Sequence, residues 1–224
     1  VELATYEVDG TTMSGYLARL QAGEKRPAVV VIHENRGLNP HIKDVTRRVA
    51  LEGFLAFAPD ALAPVGGTPA DEDQAREMIS GLDAEATVKR LAAAVPFLAA
   101  HPLSTGKVGA VGFCWGGGMV NELAAAGVGL TAAVPYYGRQ LAAERVPEIA
   151  APLCLHYAGI DERINAGIDA YVAALKAAGK SFELHMYEGA NHAFNNDTNA
   201  ARYDKAAADL AWGRTVGFLR KHLA

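Results

Sequence analysis

The sequence is poor in cysteine, has no run of basic residues and no long apolar stretch, and each shortage excludes something. Only Cys114 and Cys154 among 224 residues are cysteines, too few for a disulfide framework, and no C-x-x-C pair suggests a redox or structural metal motif. No apolar run reaches the roughly 20 residues that span a bilayer, so no membrane association is expected. The formal net charge is −4 and the Lys and Arg residues are scattered, which argues against a nucleic-acid partner. A reduced, cytoplasmic protein is the expectation. The chain begins at Val1 rather than methionine, which leaves a removed tag, a disordered start or an export (periplasmic) signal open.

Half of the residues are hydrophobic and 21% are charged, a globular balance. Repeats, low-complexity blocks and linkers are missing, so residues 1–224 are expected to form one domain. Residues 6–18 read as a β-hairpin turned by Asp9-Gly10, which tolerate positive φ. The run Ala28–His33 (AVVVIH) is β-branched and unbroken, as in a strand buried on both faces. Further strands are expected over 55–58, 107–113, 131–136, 152–158 and 182–187. Helices are expected over 41–52, 70–80, 84–100, 116–126, 165–178 and 203–223, with a loop over 64–73. Strands alternating with helices imply an α/β fold, with a mostly parallel central sheet and helices on both faces. Ligands bind such sheets beyond the carboxyl ends of the strands.

At one such end, Gly112-Phe113-Cys114-Trp115-Gly116 fits G-x-nucleophile-x-G between a strand and a helix, the setting of the nucleophile elbow of an α/β-hydrolase. The turn is strained and its neighbours must be small. The helix N-terminus behind the nucleophile favours negative charge. An elbow needs an acid and then a histidine later in the chain. Asp161 follows the strand 152–158 and His192 follows the strand 182–187. His192 is then the base, and Asp161 fixes its tautomer. Other histidines fit less well, since His156 and His185 lie within strands, His33 precedes the first loop and His101 follows a helix. Cys154 is expected to be a core residue.

The first buried strand ends in His33-Glu34-Asn35-Arg36-Gly37, where this fold supplies its second oxyanion donor. The backbone N–H groups of Asn35 and Trp115 are therefore the candidate oxyanion hole. Trp115, Tyr137 and Phe194 are candidate pocket walls.

The segments GFCWGG, PYYG (135–138), AGIDERI around Asp161 and NHAF around His192 together resemble the dienelactone hydrolase (carboxymethylenebutenolidase) family, over a stretch from the first hairpin to the last helix. The resemblance implies a single α/β-hydrolase domain without metal or cofactor, with Cys114, Asp161 and His192 as its catalytic residues. It also implies that Glu34 is a gating carboxylate in contact with the resting thiol. Two arginines that hold the substrate carboxylate in that family align with Glu72 and Asn196 here, and the serine after the histidine is Ala193. Arg36, Arg76 and Arg139 are candidate replacements, and neutral esters are expected to be accepted at least as well as an anionic dienelactone. The function expected is hydrolysis of small carboxylic esters or lactones through a cysteine acyl-enzyme, by a monomer or homodimer. The alternatives are a non-catalytic small-molecule binding module and a thiol redox sensor on the same fold.

Overall fold

A computed structural model describes residues 1–21 and 23–224. Its centre is an eight-stranded sheet formed by β1 (Glu2–Val8), β2 (Thr11–Ala18), β3 (Arg26–Ile32), β4 (Leu55–Pro59), β5 (Ser104–Phe113), β6 (Ala132–Tyr136), β7 (Leu153–Ala158) and β8 (Phe182–Tyr187). The spatial order is β1-β2-β4-β3-β5-β6-β7-β8. The β1–β2 and β2–β4 pairs are antiparallel, and the remaining neighbours are parallel. This topology is that of the α/β-hydrolase fold. Asp9 and Gly10, with φ of 49° and 74°, make the β1–β2 turn, as the hairpin twist requires.

The helices are α1 (Pro40–Leu51), α2 (Glu72–Ser80), α3 (Ala84–Ala92), α4 (Ala94–Ala99), α5 (Trp115–Ala125), α6 (Glu162–Asn165), α7 (Ile168–Ala177) and α8 (Lys205–Leu223). The strand β3 shows why the sheet is covered twice. Ala28, Val30 and Ile32 join one apolar cluster while Val29 and Val31 join the other, all at 0% exposure. Each of the valine and isoleucine side chains contributes roughly 1.5–3 kcal/mol by leaving water. Asn39 caps α1 by accepting from the Ile42 N–H, with Pro40 in the first turn, where its missing donor is harmless.

Three expectations are corrected. The helix expected over 84–100 is two, broken at Ala93, because Pro96 has no N–H for the Ala92 carbonyl. The helix expected from 165 is preceded by the one-turn α6, capped by Asp161. The loop at 64–73 contains a 3-10 turn over Ala63–Val65 and ends at Asp71, the cap of α2.

Close approach of α5 to the sheet rests on its glycines. A Cβ on Gly116 would lie 2.4 Å from the His33 carbonyl oxygen, and one on Gly117 would lie 2.5 Å from that of Tyr136. Glycine lowers helix propensity by about 1 kcal/mol, but no other residue lets this helix begin directly behind β5.

Candidate active site

Cys114, Asp161 and His192 leave the carboxyl ends of β5, β7 and β8 and meet. Cys114 has φ 55° and ψ −115°, the strained turn expected of an elbow. Gly112 permits it, since a Cβ there would sit 2.3 Å from the Gly116 carbonyl oxygen. The Cys114 Sγ lies 3.0 Å from His192 Nε2, and His192 Nδ1 is bonded to Asp161 Oδ2. A carboxylate only accepts, so Nδ1 carries the proton and Nε2 of the neutral ring is left to accept from the thiol. Asp161 also caps α6 through Oδ1, which accepts from the Ile164 N–H at 3.4 Å. Its helix-capping position and its contact with the histidine are two halves of one carboxylate.

Glu34 is buried, at 6% exposure. Its Oε2 accepts from Asn196 Nδ2 at 2.8 Å. The Cys114 thiol, which the resemblance would set against Glu34, makes its hydrogen bond with His192. Burial, opposed by the Asn196 hydrogen bond and reinforced by Glu72, pushes the Glu34 pKa up to about 7. Burial first, and the nearby Glu34 carboxylate second, push the Cys114 thiol up to about 11, against the pull of the Trp115 amide. The thiol is therefore protonated at neutral pH.

The loop after β3 is held by a histidine that the sequence reading set aside. The Ala61 N–H donates to His33 Nε2 at 3.1 Å, so Nδ1 carries the proton and donates to the Glu34 carbonyl at 2.6 Å. Burial lowers the pKa of His33 and keeps it neutral. Its ring stacks on Trp115 with centroids 5.3 Å apart. Gly37, at φ 72°, closes the loop, and the Leu38 N–H donates to Thr68 Oγ1 at 2.8 Å. Among the described residues the Asn35 N–H makes no hydrogen bond within the protein, and the Trp115 N–H faces the Cys114 sulfur. Asn35, Cys114 and Trp115 line one cavity.

Two lobes open on either side of Cys114 and His192. One, of about 470 Å³, is walled by Ile79, Leu82, Trp115, Met119, Tyr137 and Ile164. The other, of about 500 Å³, is polar and carries Glu34, Glu72, Asn196 and Arg202. Tyr137 adopts φ 36° and its buried hydroxyl has no hydrogen-bond partner among the described residues. Phe194 is corrected: it is wholly buried against Tyr137 and Tyr187 and lines neither lobe. The positive φ of 65° at Ala193 turns the chain inward at that point.

Of the candidate arginines, Arg36 lines the polar lobe and is paired with Asp73 at 2.8 Å. Arg76 lines both lobes and is 3.6 Å from the same carboxylate. Arg139 lines the apolar one. The sequence reading missed Arg163, which lines both lobes and lowers the thiol pKa by its charge. It stands two residues after Asp161, where only the geometry of α6 shows that it turns towards Cys114.

Known proteins bear on this arrangement. The carboxymethylenebutenolidase of Pseudomonas putida is 34% identical, over 94% of this chain and 92% of that one. A dienelactone hydrolase-like promiscuous phosphotriesterase from metagenomic libraries superposes with a TM-score of 0.86 at 26% identity, covering 100% of this chain and 98% of that one. The dienelactone hydrolase of Anabaena variabilis, at 21% identity, shares the fold with a TM-score of 0.75, covering 100% of this chain and 98% of that one. Residues 13–223 match the sequence model of the dienelactone hydrolase family, and with this coverage the chain belongs to that family.

Proposed function

We propose that this protein hydrolyses small carboxylic esters or lactones with Cys114 as nucleophile, through an acyl-enzyme. The observation that carries the reading is the Cys114 Sγ at 3.0 Å from a His192 Nε2 whose other nitrogen is held by Asp161. Membership of a family whose relatives include a carboxymethylenebutenolidase supports the substrate class.

The thiol proton passes to His192 Nε2 as sulfur attacks the carbonyl carbon. A C–S bond forms and the carbonyl π pair moves onto oxygen. The Asn35 and Trp115 amides receive that oxyanion, a contribution of the kind worth about 2.7–4 kcal/mol per donor. Collapse breaks the ester C–O bond, and the leaving alkoxide takes the proton from Nε2. In a lactone the alcohol stays tethered to the acyl group. His192 then deprotonates a water, hydroxide attacks the thioester, and the acid leaves as the thiol is restored. Asp161 remains ionised and steadies the imidazolium.

Glu34 has two parts in this reading. Its negative charge helps to keep the resting thiol protonated and so less open to oxidation. Its raised pKa lets it share a proton with the site at neutral pH. The apolar lobe takes the body of the substrate, against Trp115 and the unpartnered hydroxyl of Tyr137. Arg163 and Arg76 offer a cation to a carboxylate-bearing substituent. Glu72 and Asn196 cannot, since one is an acid and the other a neutral amide, and they hydrogen-bond with Asn39 and Glu34 instead.

The test is a panel of aryl esters and lactones, neutral and anionic, with wild type and Cys114→Ala. Hydrolysis that disappears in the variant while its circular dichroism is unchanged supports the reading. Equal rates in the two proteins refute it, and a redox sensor would instead consume peroxide and be recycled by thiols.

A further inference from the structure

A second cluster of chemically active side chains lies away from the Cys114 cleft. In the parallel pair β7–β8, Cys154 is opposite Glu183 and His156 is opposite His185. Alternation along each strand puts all four on one face. The Cys154 sulfur, a Glu183 carboxylate oxygen and a His185 ring nitrogen lie within 4.8 Å of one another. His185 Nε2 is buried without a hydrogen-bond partner, and at 3.6 Å the nearest Glu183 oxygen is too far to supply one. His156 Nε2 is 3.4 Å from the Cys154 sulfur, but its two nitrogens already face Thr215 Oγ1 at 3.0 Å and the Tyr187 hydroxyl at 2.8 Å.

We propose that Cys154, Glu183 and His185 bind a thiophilic divalent cation of the zinc class, with the fourth position open to water on the Glu183 side. A thiolate, an imidazole and a carboxylate suit that ion, and bond lengths near 2.0–2.3 Å set ligand atoms about 3.4–3.7 Å apart in a tetrahedron. Closing from the observed spacing needs only rotation of the half-exposed Glu183 and of His185. On binding, the Cys154 S–H bond breaks, a sulfur–metal bond forms and the proton goes to solvent, with no change of oxidation state. Arg214 packs over Tyr187 at 5.4 Å and opposes a cation, while the thiolate and Glu183 supply two negative charges. The site would clip the edge strand β8 to β7, the two strands that lead into His192 and Asp161. Opposite strands pair C-x-H with E-x-H, a pattern that only the register reveals.

Cadmium is the probe, because its thiolate charge-transfer absorption reports sulfur ligation. The Cys114→Ala protein, reduced and metal-free, is titrated with Cd(II), and Zn(II) is added in competition. The expectation is one equivalent of cadmium per chain, displaced by zinc, with the absorption lost when Cys154→Ala is added. Adding Glu183→Gln or His185→Gln should weaken binding at least about tenfold. These two substitutions sit on a partly exposed edge and keep the test valid if Cys154→Ala disturbs the core. No absorption in the Cys114→Ala protein, or unchanged affinity in either edge variant, overturns the site. The outcome is independent of whether Cys114 is a nucleophile.

Discussion

Glu34→Gln isolates the effect of the buried Glu34 carboxyl. Gln is isosteric and its carbonyl oxygen can still accept from Asn196 Nδ2, so packing and the hydrogen bond at 2.8 Å are kept. Only the ability to ionise is lost. In the folded protein the Glu34 pKa stands at about 7 instead of 4.5. A folded pKa above the unfolded one gives stability that is fully present below the unfolded value and is lost as pH rises through the folded one. At about 1.4 kcal/mol per pH unit, the interval from 4.5 to about 7 amounts to as much as about 3 kcal/mol. Urea unfolding of both proteins at intervals between about pH 4 and pH 8 measures it. The stability of wild type relative to Glu34→Gln should fall by up to about 3 kcal/mol across that range. His33, His41, His156 and His185 are all lowered by burial. They act in the opposite sense, and they cancel in the comparison. A difference that stays flat within about 0.5 kcal/mol would refute the buried, raised carboxyl. Because Glu34 is the second cause of the raised Cys114 pKa, the same variant should also shift the pH profile of iodoacetamide alkylation to lower pH.

Four further outcomes follow from the geometry. Asp161→Asn, which leaves His192 without its carboxylate, should lower kcat by about 10²–10⁴-fold with little change in KM for a neutral aryl ester. Gly116→Ala drives a Cβ to 2.4 Å from the His33 carbonyl oxygen and 2.5 Å from that of Ile32, so thermal unfolding should show severe destabilisation. Gly213→Ala in α8, where nothing lies within 4 Å, should stabilise by about 0.5–1 kcal/mol. Arg163→Ala should raise KM for a carboxylate-bearing ester about two- to tenfold over its neutral analogue, an exposed fraction of the 1.5–3 kcal/mol of a charge-assisted hydrogen bond. An equal effect on both esters would remove Arg163 from substrate recognition.

The elements that carry the site could be read because each has a local cause. The Asp9-Gly10 turn, the β-branched β3 and the glycines around Cys114 act within a few residues of themselves. The break at Ala93 was also local, but helical periodicity across 84–100 concealed what Pro96 does to the hydrogen-bond ladder. What could not be read depends on partners distant in sequence. Asn196 reaches Glu34 across 162 positions, a contact that no local pattern announces. Phe194 looked like a pocket wall beside the histidine, yet the backbone turn at Ala193 sends it into the core. His33 was set aside because no sequence pattern shows that Ala61 and Trp115 would hold its ring.

The account turns on a covalent bond to Cys114, and trapping the acyl-enzyme tests it most directly. Wild type mixed with excess p-nitrophenyl acetate, quenched in acid within the first turnover and digested, is analysed by peptide mass spectrometry. The account predicts a nitrophenolate burst approaching one per chain, with a single acetyl group on the peptide that contains Cys114 and neither burst nor adduct in Cys114→Ala. A burst with the acetyl group on another residue, or steady hydrolysis by Cys114→Ala at the wild-type rate, would contradict it.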